Sequence, residues 1–291
     1  MNTASLISTL EFGVVFGLLA LSMFASLNTG VLSMASVSFA ACGAFLCGRL
    51  AATTAMPGWA LLIAGSVLGA VVAGVVSLFI LHLSSHYIAM VTIAVLLMTR
   101  VAVLNLPAVT GGVNGMSIPV ELGYPYILAT LAICVWTFSR LRRSRYGLAA
   151  ETVREDTVVA ATLGINTRWI QTVSFIISGF IGGAAGVLLA SLYAYVDADT
   201  FFLNLAFVGL AAVVLGGGFH WLGALVGGVV FTLIPELLRG TVDEADQIIN
   251  GVILVVIMIF LPRGLIDPAR RRPRTSDRPV HAGSDREEDH T

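Results

Sequence analysis

The chain has 291 residues, of which 57% are hydrophobic and only 11% are charged, and its mean hydropathy is +0.92. A soluble domain of this size carries about 25% charged residues, so the composition excludes a protein whose whole surface faces water. The formal net charge of -1 indicates little, because the position of the charges along the chain matters more than their sum. The composition therefore predicts an integral membrane protein.

Apolar segments of suitable length recur along the whole chain. A membrane-spanning helix needs roughly 20 mostly apolar residues. By that measure the sequence predicts an all-α, polytopic transmembrane helical bundle of about nine spans, or roughly 8–10. In chain order the segments are 6–27, 35–54, 59–83, 87–106, 123–140, 170–195, 202–218, 221–239 and 247–262.

Glycine is abundant inside these segments, often at a spacing of four residues. Such spacing lets two helices approach closely, so we expect packing faces rather than parts of a pore. Glycine also interrupts the apolar pattern around Gly216–His220, and one of the two flanking segments is expected to be a short or broken helix. The spaced pairs are Gly13 and Gly17, Gly65 and Gly69, Gly179 and Gly183, Gly182 and Gly186, and Gly223 and Gly227.

Arginine is concentrated in two segments between or after the spans. By the positive-inside rule both segments are cytoplasmic, so the C-terminus is predicted to be cytoplasmic. The acidic loops 195–200 and 241–247 then lie outside, and with nine spans the N-terminus also lies outside. The arginines are Arg140, Arg142, Arg143, Arg145, Arg154 and Arg168 in the first segment, and Arg263, Arg270, Arg271, Arg272 and Arg274 in the second.

The chain divides into two parts of different character. Residues 1–266 are predicted to form a transmembrane domain with a long cytoplasmic loop at 140–168. Residues 267–291 are rich in Arg, Asp, Glu and Pro and contain almost nothing to bury. We expect them to form a disordered cytoplasmic tail whose arginines contact anionic membrane lipid.

No catalytic constellation is visible in the sequence. The chain lacks the Gly-x-x-x-x-Gly-Lys-Ser/Thr loop that binds nucleotide phosphates, so it is predicted not to be an enzyme, and any ATP hydrolysis must come from another chain. Cys42, Cys47 and Cys134 lie in apolar runs without metal or disulfide spacing. His82 and His86 are predicted to be interfacial residues rather than metal ligands. We expect no cofactor, no metal and no nucleic-acid partner.

The loop at 145–166 is polar enough to lie outside the bilayer and has a helical pattern. It predicts a short amphipathic helix that Gly164 ends. Such a helix suits either a groove in a partner protein or the membrane surface, and the pattern alone leaves both open. The predicted apolar face contains Ala149, Val153, Ala160 and Leu163 and is broken by Asp156, whereas Glu151, Arg154 and Glu155 point elsewhere.

Five stretches of the chain resemble, in order, the motifs of one family of membrane proteins. They are Leu18–Phe45; Tyr87–Thr99; Thr110–Met116, with its Thr-Gly-Gly-x-x-Gly pattern; the loop 145–166, with Ala160-Ala161-Thr162-Leu163-Gly164; and a last group of Val214–Gly217, Ile234–Arg239 and Leu261–Leu265. Through these stretches the chain resembles the permeases of ABC importers for branched-chain amino acids, over nearly all of its length from Phe12 to Asp267. It departs from the family at Ser36-Val37, where Gly-His is usual.

The resemblance implies a set of partners and roles. It implies a second permease subunit, two cytoplasmic ATP-binding subunits and an extracytoplasmic substrate-binding protein, in a bacterial inner membrane. Residues implied to couple transport to the ATPase are Glu151, Arg154, Glu155, Ala160, Ala161 and Gly164. Residues implied to line the translocation path or face the binding protein are Asn28, Gly30, Gly111, Gly112, Asn114 and Gly115, although a tight turn alone is an equal interpretation of the 110–116 stretch.

Other functions remain open at this point. The resemblance implies transport of branched-chain amino acids, or of related small amino acids and amides such as urea, and a sugar permease fits less well. One alternative is an ion-coupled secondary transporter or a channel for a small polar solute, and another is a membrane scaffold that transports nothing. Glu11, Arg49 and Arg100 lie near span ends, from which they reach the interface. The sequence has no buried series of acids or histidines, which counts against a proton-driven carrier.

Overall fold

Helices make up most of the described chain. The structure, a computed structural model, describes residues 3–54, 56–83, 85–218 and 220–238, with side chains described at 7–54, 56–83, 87–218 and 220–233. The elements in chain order are α1 (Thr3–Leu27), α2 (Ala35–Thr53), α3 (Gly58–Ile80), α4 (Ser85–Asn105), α5 (Pro107–Thr110), a 3-10 turn (Gly112–Asn114), β1 (Met116–Ser117), α6 (Tyr124–Arg142), α7 (Arg145–Glu155), α8 (Thr157–Thr162), α9 (Thr167–Tyr193), β2 (Tyr195–Val196), α10 (Leu203–Gly216) and α11 (Trp221–Leu238).

Within these ranges, six helices are long and apolar enough to cross a membrane, namely α1, α2, α3, α4, α6 and α9. They confirm the all-α membrane bundle. α10 has 14 residues, which confirms that one helix beside Gly216–His220 is short. The predicted count of about nine spans is not confirmed. The segment 247–262, the loop 241–247, the stretch 261–265 and the tail 267–291 lie outside the described residues.

α9 is the helix around which the bundle is built. It packs against α1, α2 and α3, and side chains along its length, such as Phe175 and Leu188, are buried. α3, α4 and α6 instead expose large apolar side chains, among them Phe79, Met98 and Trp136. In a bilayer such side chains suit contact with lipid tails or with another membrane-spanning subunit, and a helix satisfies its backbone polar groups internally. α9 is therefore an interior helix, and α4 and α6 lie at the periphery.

Glycine allows the backbones of neighbouring helices to touch. A Cβ at Gly69 in α3 would collide with the carbonyl oxygen of Gly179 in α9, and a Cβ at Gly43 in α2 would collide with that of Gly183. The five predicted glycine pairs all lie at helix contacts, which confirms that they are packing faces. The further contacts are Gly13 and Gly17 with α11, Gly65 with α2 and α9, Gly182 with α1 and α2, Gly186 with α2, and Gly223 and Gly227 with α10.

The two ends of the bundle differ. At one end β1 and β2 form an antiparallel ribbon, in which Met116 pairs with Val196 and Ser117 pairs with Tyr195. α9 ends beside this ribbon at Tyr193, having begun beside α7 and α8. We call these the ribbon end and the α7–α8 end. The turns that follow α1 and α10 both lie at the α7–α8 end, so these two helices run in the same direction.

Gly69→Ala is expected to lower the melting temperature of the protein in detergent. The added Cβ would meet backbone atoms of Gly179 and Gly183 rather than a flexible side chain, and overpacking of this kind costs about 1–3 kcal/mol of unfolding free energy. Gly74→Ala on the same helix is the matched control, because a Cβ there would lie 3.6 Å from Ile176, an ordinary contact. Equal melting temperatures for the two variants would contradict the close approach of α3 and α9.

Candidate functional site

The loop predicted to carry coupling residues contains two short helices rather than one. Asp156 has an extended backbone that ends α7, and its Oδ1 accepts hydrogen bonds from the backbone N–H groups of Val158 at 2.7 Å and Val159 at 3.1 Å. Asp156 is therefore the N-cap of α8, the position that aspartate favours. Gly164, at φ 79°, follows the end of α8. Its predicted role as a helix terminator is confirmed.

The helix pair rests on the bundle through small and apolar side chains. Ala150, Val153 and Ala160 are buried and pack together with Ile170 of α9. The hydroxyl groups of Tyr146 in α7 and Ser174 in α9 lie 2.5 Å apart. Burial raises the pKa of Tyr146, and its hydrogen bond with Ser174 partly offsets that rise. The phenol therefore stays protonated and keeps this link between α7 and α9 at neutral pH.

The opposite face of α7 and α8 is apolar and exposed. Leu163, which was predicted to share one apolar face with Ala149, Val153 and Ala160, is 68% exposed, whereas Val153 and Ala160 are buried. The break at Asp156 rotates α8 relative to a continuous helix, so the predicted face of four residues does not form. Together with Leu163, the exposed apolar side chains are Leu148, Val158 and Val159. Beside them a cleft of about 460 Å³ is lined by Leu148, Glu151, Thr152, Glu155, Asp156 and Val159. We call this face the exposed α7–α8 face.

The six predicted coupling residues do not all lie on this exposed face. Glu151, Glu155, Ala161 and Gly164 are exposed, whereas Ala160 is buried. Arg154 turns inward, and its Nη1 donates a hydrogen bond of 2.6 Å to the carbonyl oxygen of Gly218. Burial lowers the pKa of the Arg154 guanidinium, and the carboxylates of Glu151 and Glu155 partly offset that shift. The guanidinium therefore stays charged although it is half-buried.

Asn28 and Gly30 lie at the same end as Arg154. Asn28 lines a small cavity of about 30 Å³ together with Tyr146, Glu151 and Trp221. Gly30 has φ 78°, and a Cβ there would lie 3.4 Å from the Cα of Arg154. The loop after α1 therefore packs directly on α7.

The other four residues predicted to line the path or face the binding protein lie at the ribbon end. Gly111, Gly112 and Gly115 all have positive φ angles, which glycine adopts without steric cost. The hydroxyl of Tyr195 donates a hydrogen bond of 2.7 Å to the carbonyl oxygen of Asn114. The stretch is thus a tight turn fixed to the ribbon, while Val113 at its tip is 81% exposed. The predicted roles of these residues stay predictions.

An ion pair at the ribbon end was not visible in the sequence. Nη2 of Arg100 in α4 lies 2.7 Å from Oδ1 of Asp199, and its guanidinium lies 4.4 Å from the ring centroid of Phe202. Burial would raise the pKa of nearby Asp197, but hydrogen bonds from Thr200 and the backbone outweigh it and lower that pKa. The segment that precedes α10 is therefore ordered by charge and by local hydrogen bonds.

A cleft of about 450 Å³ opens beside this ion pair. Its apolar wall comes from α1 and α10, and its polar rim comes from the turn before α10. The lining residues are Phe16, Tyr193, Tyr195, Asp199, Thr200, Asn204, Leu205 and Val208. We call it the ribbon-end cleft.

A cluster of buried hydroxyl groups joins three helices in the interior. Ser22 Oγ of α1 donates to the carbonyl oxygen of Ser178 in α9 at 2.7 Å, and Ser36 Oγ of α2 lies 3.1 Å from Ser178 Oγ. All three serines are fully buried. Nothing in the sequence pattern set them apart, since each is one small residue among many. Across the described chain, no group of three or more His, Cys, Asp or Glu side chains could hold a metal ion.

By sequence, the chain is similar to a family of transport proteins. The family model described as branched-chain amino acid transport system / permease component matches residues 5–261. The high-affinity branched-chain amino acid transport system permease protein LivM of Escherichia coli (strain K12) is 28% identical over 278 residues, which cover 83% of this chain and 65% of that protein.

Two shorter matches are of the same kind. The permease protein LivH of the same system and organism is 29% identical over 140 residues, or 48% of this chain and 44% of that protein. The galactofuranose transporter permease protein YtfT of Escherichia coli (strain K12) is 28% identical over 163 residues, or 52% of this chain and 47% of that protein. The chain thus spans less than two thirds of the length of these relatives. No solved structure matches it.

The turn between α10 and α11 is expected to weaken as the pH falls. Nδ1 of His220 accepts a hydrogen bond of 3.1 Å from the backbone N–H of Leu222, so the ring must be neutral at that nitrogen. Burial lowers the pKa of His220, and the charge of Arg142 lowers it further. A histidine with a lowered folded-state pKa contributes its full stability above the unfolded value, about 6.5. That contribution is lost as the pH falls through the folded-state pKa.

The melting temperature should therefore fall between about pH 7 and about pH 5 by more in the unsubstituted protein than in His220→Asn. The asparagine oxygen can accept the same hydrogen bond without titrating. Thermal unfolding of both proteins in detergent over this range measures the difference. Parallel pH curves would mean that His220 does not control the turn.

Proposed function

Because the chain belongs to the family of branched-chain amino acid transport system permease components, we propose that it is the membrane-spanning permease subunit of a bacterial ABC importer. In this proposal it moves branched-chain amino acids, or related small amino acids and amides, across the inner membrane. Separate subunits hydrolyse the ATP. The observation that carries the proposal is the exposed α7–α8 face, an apolar surface held outside the membrane-spanning helices.

Charge supports a cytoplasmic position for this face. Arginines surround it at both ends of the loop, including Arg143, Arg145 and Arg168, and the positive-inside rule assigns such loops to the cytoplasm. The ribbon end then faces the outside. An ATP-binding subunit reaches the cytoplasmic end and an extracytoplasmic binding protein reaches the ribbon end, so the two kinds of partner meet opposite ends of the bundle.

The chemistry of the exposed α7–α8 face favours a protein partner over the membrane surface. Exposed apolar side chains in a patch mark interaction sites. Glu151, Glu155 and Asp156 border this patch, and acidic side chains are repelled by anionic lipid. A groove of an ATP-binding subunit with apolar walls and basic residues at its edge would complement both features. In this proposal the cleft of about 460 Å³ receives a side chain of that subunit.

The mechanism that follows is alternating access by movement of rigid helices. Closure of two ATP-binding subunits on ATP would displace α7 and α8, which are fixed to α9 by Tyr146 and by the packing around Ala150. Packed helices move as units rather than deforming continuously. A second permease subunit completes the path, and the apolar side chains that this chain exposes give such a subunit a surface to pack on.

The relatives are named for two chemical classes of substrate. The relatives LivM and LivH are named for branched-chain amino acids, and YtfT is named for galactofuranose. Uptake of labelled leucine by vesicles that contain the complete complex, with valine, isoleucine, urea and galactofuranose as competitors, separates the classes. Leucine uptake that valine and isoleucine reduce is the expected result, and uptake of labelled galactofuranose without uptake of leucine would move the chain to the other class.

Val158→Asp is expected to release the ATP-binding subunits from the complex. Val158 is 71% exposed on the α7–α8 face, and a carboxylate buried in an apolar interface without a partner is unfavourable, so association should weaken by about tenfold or more. The matched control is Val113→Asp at the ribbon end, where the side chain is 81% exposed. Co-purification of ATP-binding subunits with each tagged variant from membranes measures the effect.

The control variant also has its own expected result. Val113→Asp should keep the ATP-binding subunits and weaken binding of the extracytoplasmic binding protein. Val158→Asp should lose the ATP-binding subunits and keep binding of the extracytoplasmic binding protein. Normal association of the ATP-binding subunits with Val158→Asp would refute docking at the exposed α7–α8 face. Uptake driven by an ion gradient without any ATP-binding subunit would favour a secondary carrier instead.

A further inference from the structure

We propose that Arg154 is a positioning residue that transmits movement of α7 and α8 to α10, and through α10 to the ribbon-end cleft. This inference rests on the proposed importer function and extends it, because it identifies the contact through which one end of the bundle controls the other. Arg154 was expected to face an ATP-binding subunit. Its hydrogen bond to Gly218 instead directs it into the bundle.

The position of Arg154 suits a mechanical link. Its side chain leaves α7 and donates to the carbonyl oxygen of Gly218 at 2.6 Å, in the turn that joins α10 to α11. A hydrogen bond from a charged donor is stronger than one between neutral groups. On the other side, the Cα of Arg154 faces Gly30, where an added Cβ would lie only 3.4 Å away. Arg154 therefore lies between the loop after α1 and the turn after α10, and displacement of α7 moves it against both.

α10 can carry such a displacement along its length. Its 14 residues form a rod of about 21 Å, at about 1.5 Å per residue. At the end near Arg154, Gly216 contacts Gly223 of α11 backbone to backbone. Because the two backbones touch at this point and the helices pack along their length, α10 and α11 are expected to respond as one unit. A displacement of Gly218 is therefore transmitted to the first turn of α10.

The first turn of α10 forms part of the ribbon-end cleft. Asn204, Leu205 and Val208 line the cleft from α10, and Asp199 in the preceding turn lines its rim. Asp199 also holds Arg100 of α4 through the ion pair of 2.7 Å. A shift of α10 along its axis would change the width of the cleft on its α10 side while the ion pair limits how far the preceding turn can follow. Arg154 and the cleft are thus joined by one short helix.

The test combines a reporter at the cleft with a substitution at Arg154. Asn204→Cys places a thiol in the cleft, and its rate of reaction with a membrane-impermeant maleimide is measured in the reconstituted complex, with and without ATP and orthovanadate. The same chain without Asn204→Cys reports any reaction of the native cysteines. With Arg154 present we expect trapping to change the rate several-fold. Arg154→Gln should abolish that change, and should reduce uptake by about tenfold through loss of a charged hydrogen bond, while ATP-binding subunits still co-purify.

Arg145→Gln is the matched control, because it removes the same charge from the same helix at an exposed position and leaves Gly218 untouched. It should keep the nucleotide-dependent change in the reaction rate of the Asn204→Cys thiol. Arg154→Lys, which keeps the charge without the forked donors, should give an intermediate response and replaces Arg154→Gln if that variant does not accumulate.

Three results would overturn the inference. An unchanged response to nucleotide in Arg154→Gln and Arg154→Lys would show that the link is not needed. If Arg145→Gln loses the nucleotide-dependent change in reaction rate to the same extent, the effect comes from the charge on α7 and not from the contact with Gly218. If the Asn204→Cys thiol reacts at the same rate with and without ATP and orthovanadate when Arg154 is present, α10 does not move. Absence of ATP-binding subunits from the unsubstituted complex would instead refute the proposed function itself, and this inference with it.

Discussion

The fold depends on the direct contact of helix backbones along α9. Where Gly43, Gly69 and Gly183 meet, there is no room for even a methyl group. In a bilayer, helix association gains little from the hydrophobic effect, because lipid tails are as apolar as leucine side chains. Dispersion contacts between closely approaching helices drive their association instead, and only small residues permit that approach. The interior position of α9 and the peripheral positions of α4 and α6 follow from where the glycines lie.

Sequence patterns predicted the fold class and the packing faces because both depend on local composition. The length of an apolar segment identifies a span, and glycine spacing identifies a contact face. The path of the loop at 145–166 was harder to predict, because the side chain of Asp156 changes its direction. Asp156 ends α7 and caps α8, so the periodicity that grouped Leu163 with Val153 does not continue across it. Asp156, a residue type that favours the N-cap, lies in the middle of the apparent helix, and it was the signal in the sequence that the helix ends there.

Long-range contacts were beyond what the sequence could place. The resemblance grouped Asn28 and Gly30 with the glycine-rich turn at 111–115, yet the two sets lie at opposite ends of the bundle. The order of motifs along the chain does not show which loops lie at the same end of the bundle. That assignment requires the direction of every helix. The same limit hid the pairing of Arg100 with Asp199, since the two residues are separated by 99 positions and meet only through folding.

The buried serines give the interior a second kind of joint. A hydroxyl rotates about its C–O bond and serves as both donor and acceptor, so Ser22, Ser36 and Ser178 can exchange partners among themselves while each stays satisfied. Backbone contacts at glycine have no such freedom, since a carbonyl oxygen is fixed to its helix. α9 therefore has a rigid backbone contact with α2 at Gly183 and a rotatable hydroxyl contact with α1 and α2 at the serines, so small rotations of α1 need not leave a serine hydroxyl without a hydrogen bond.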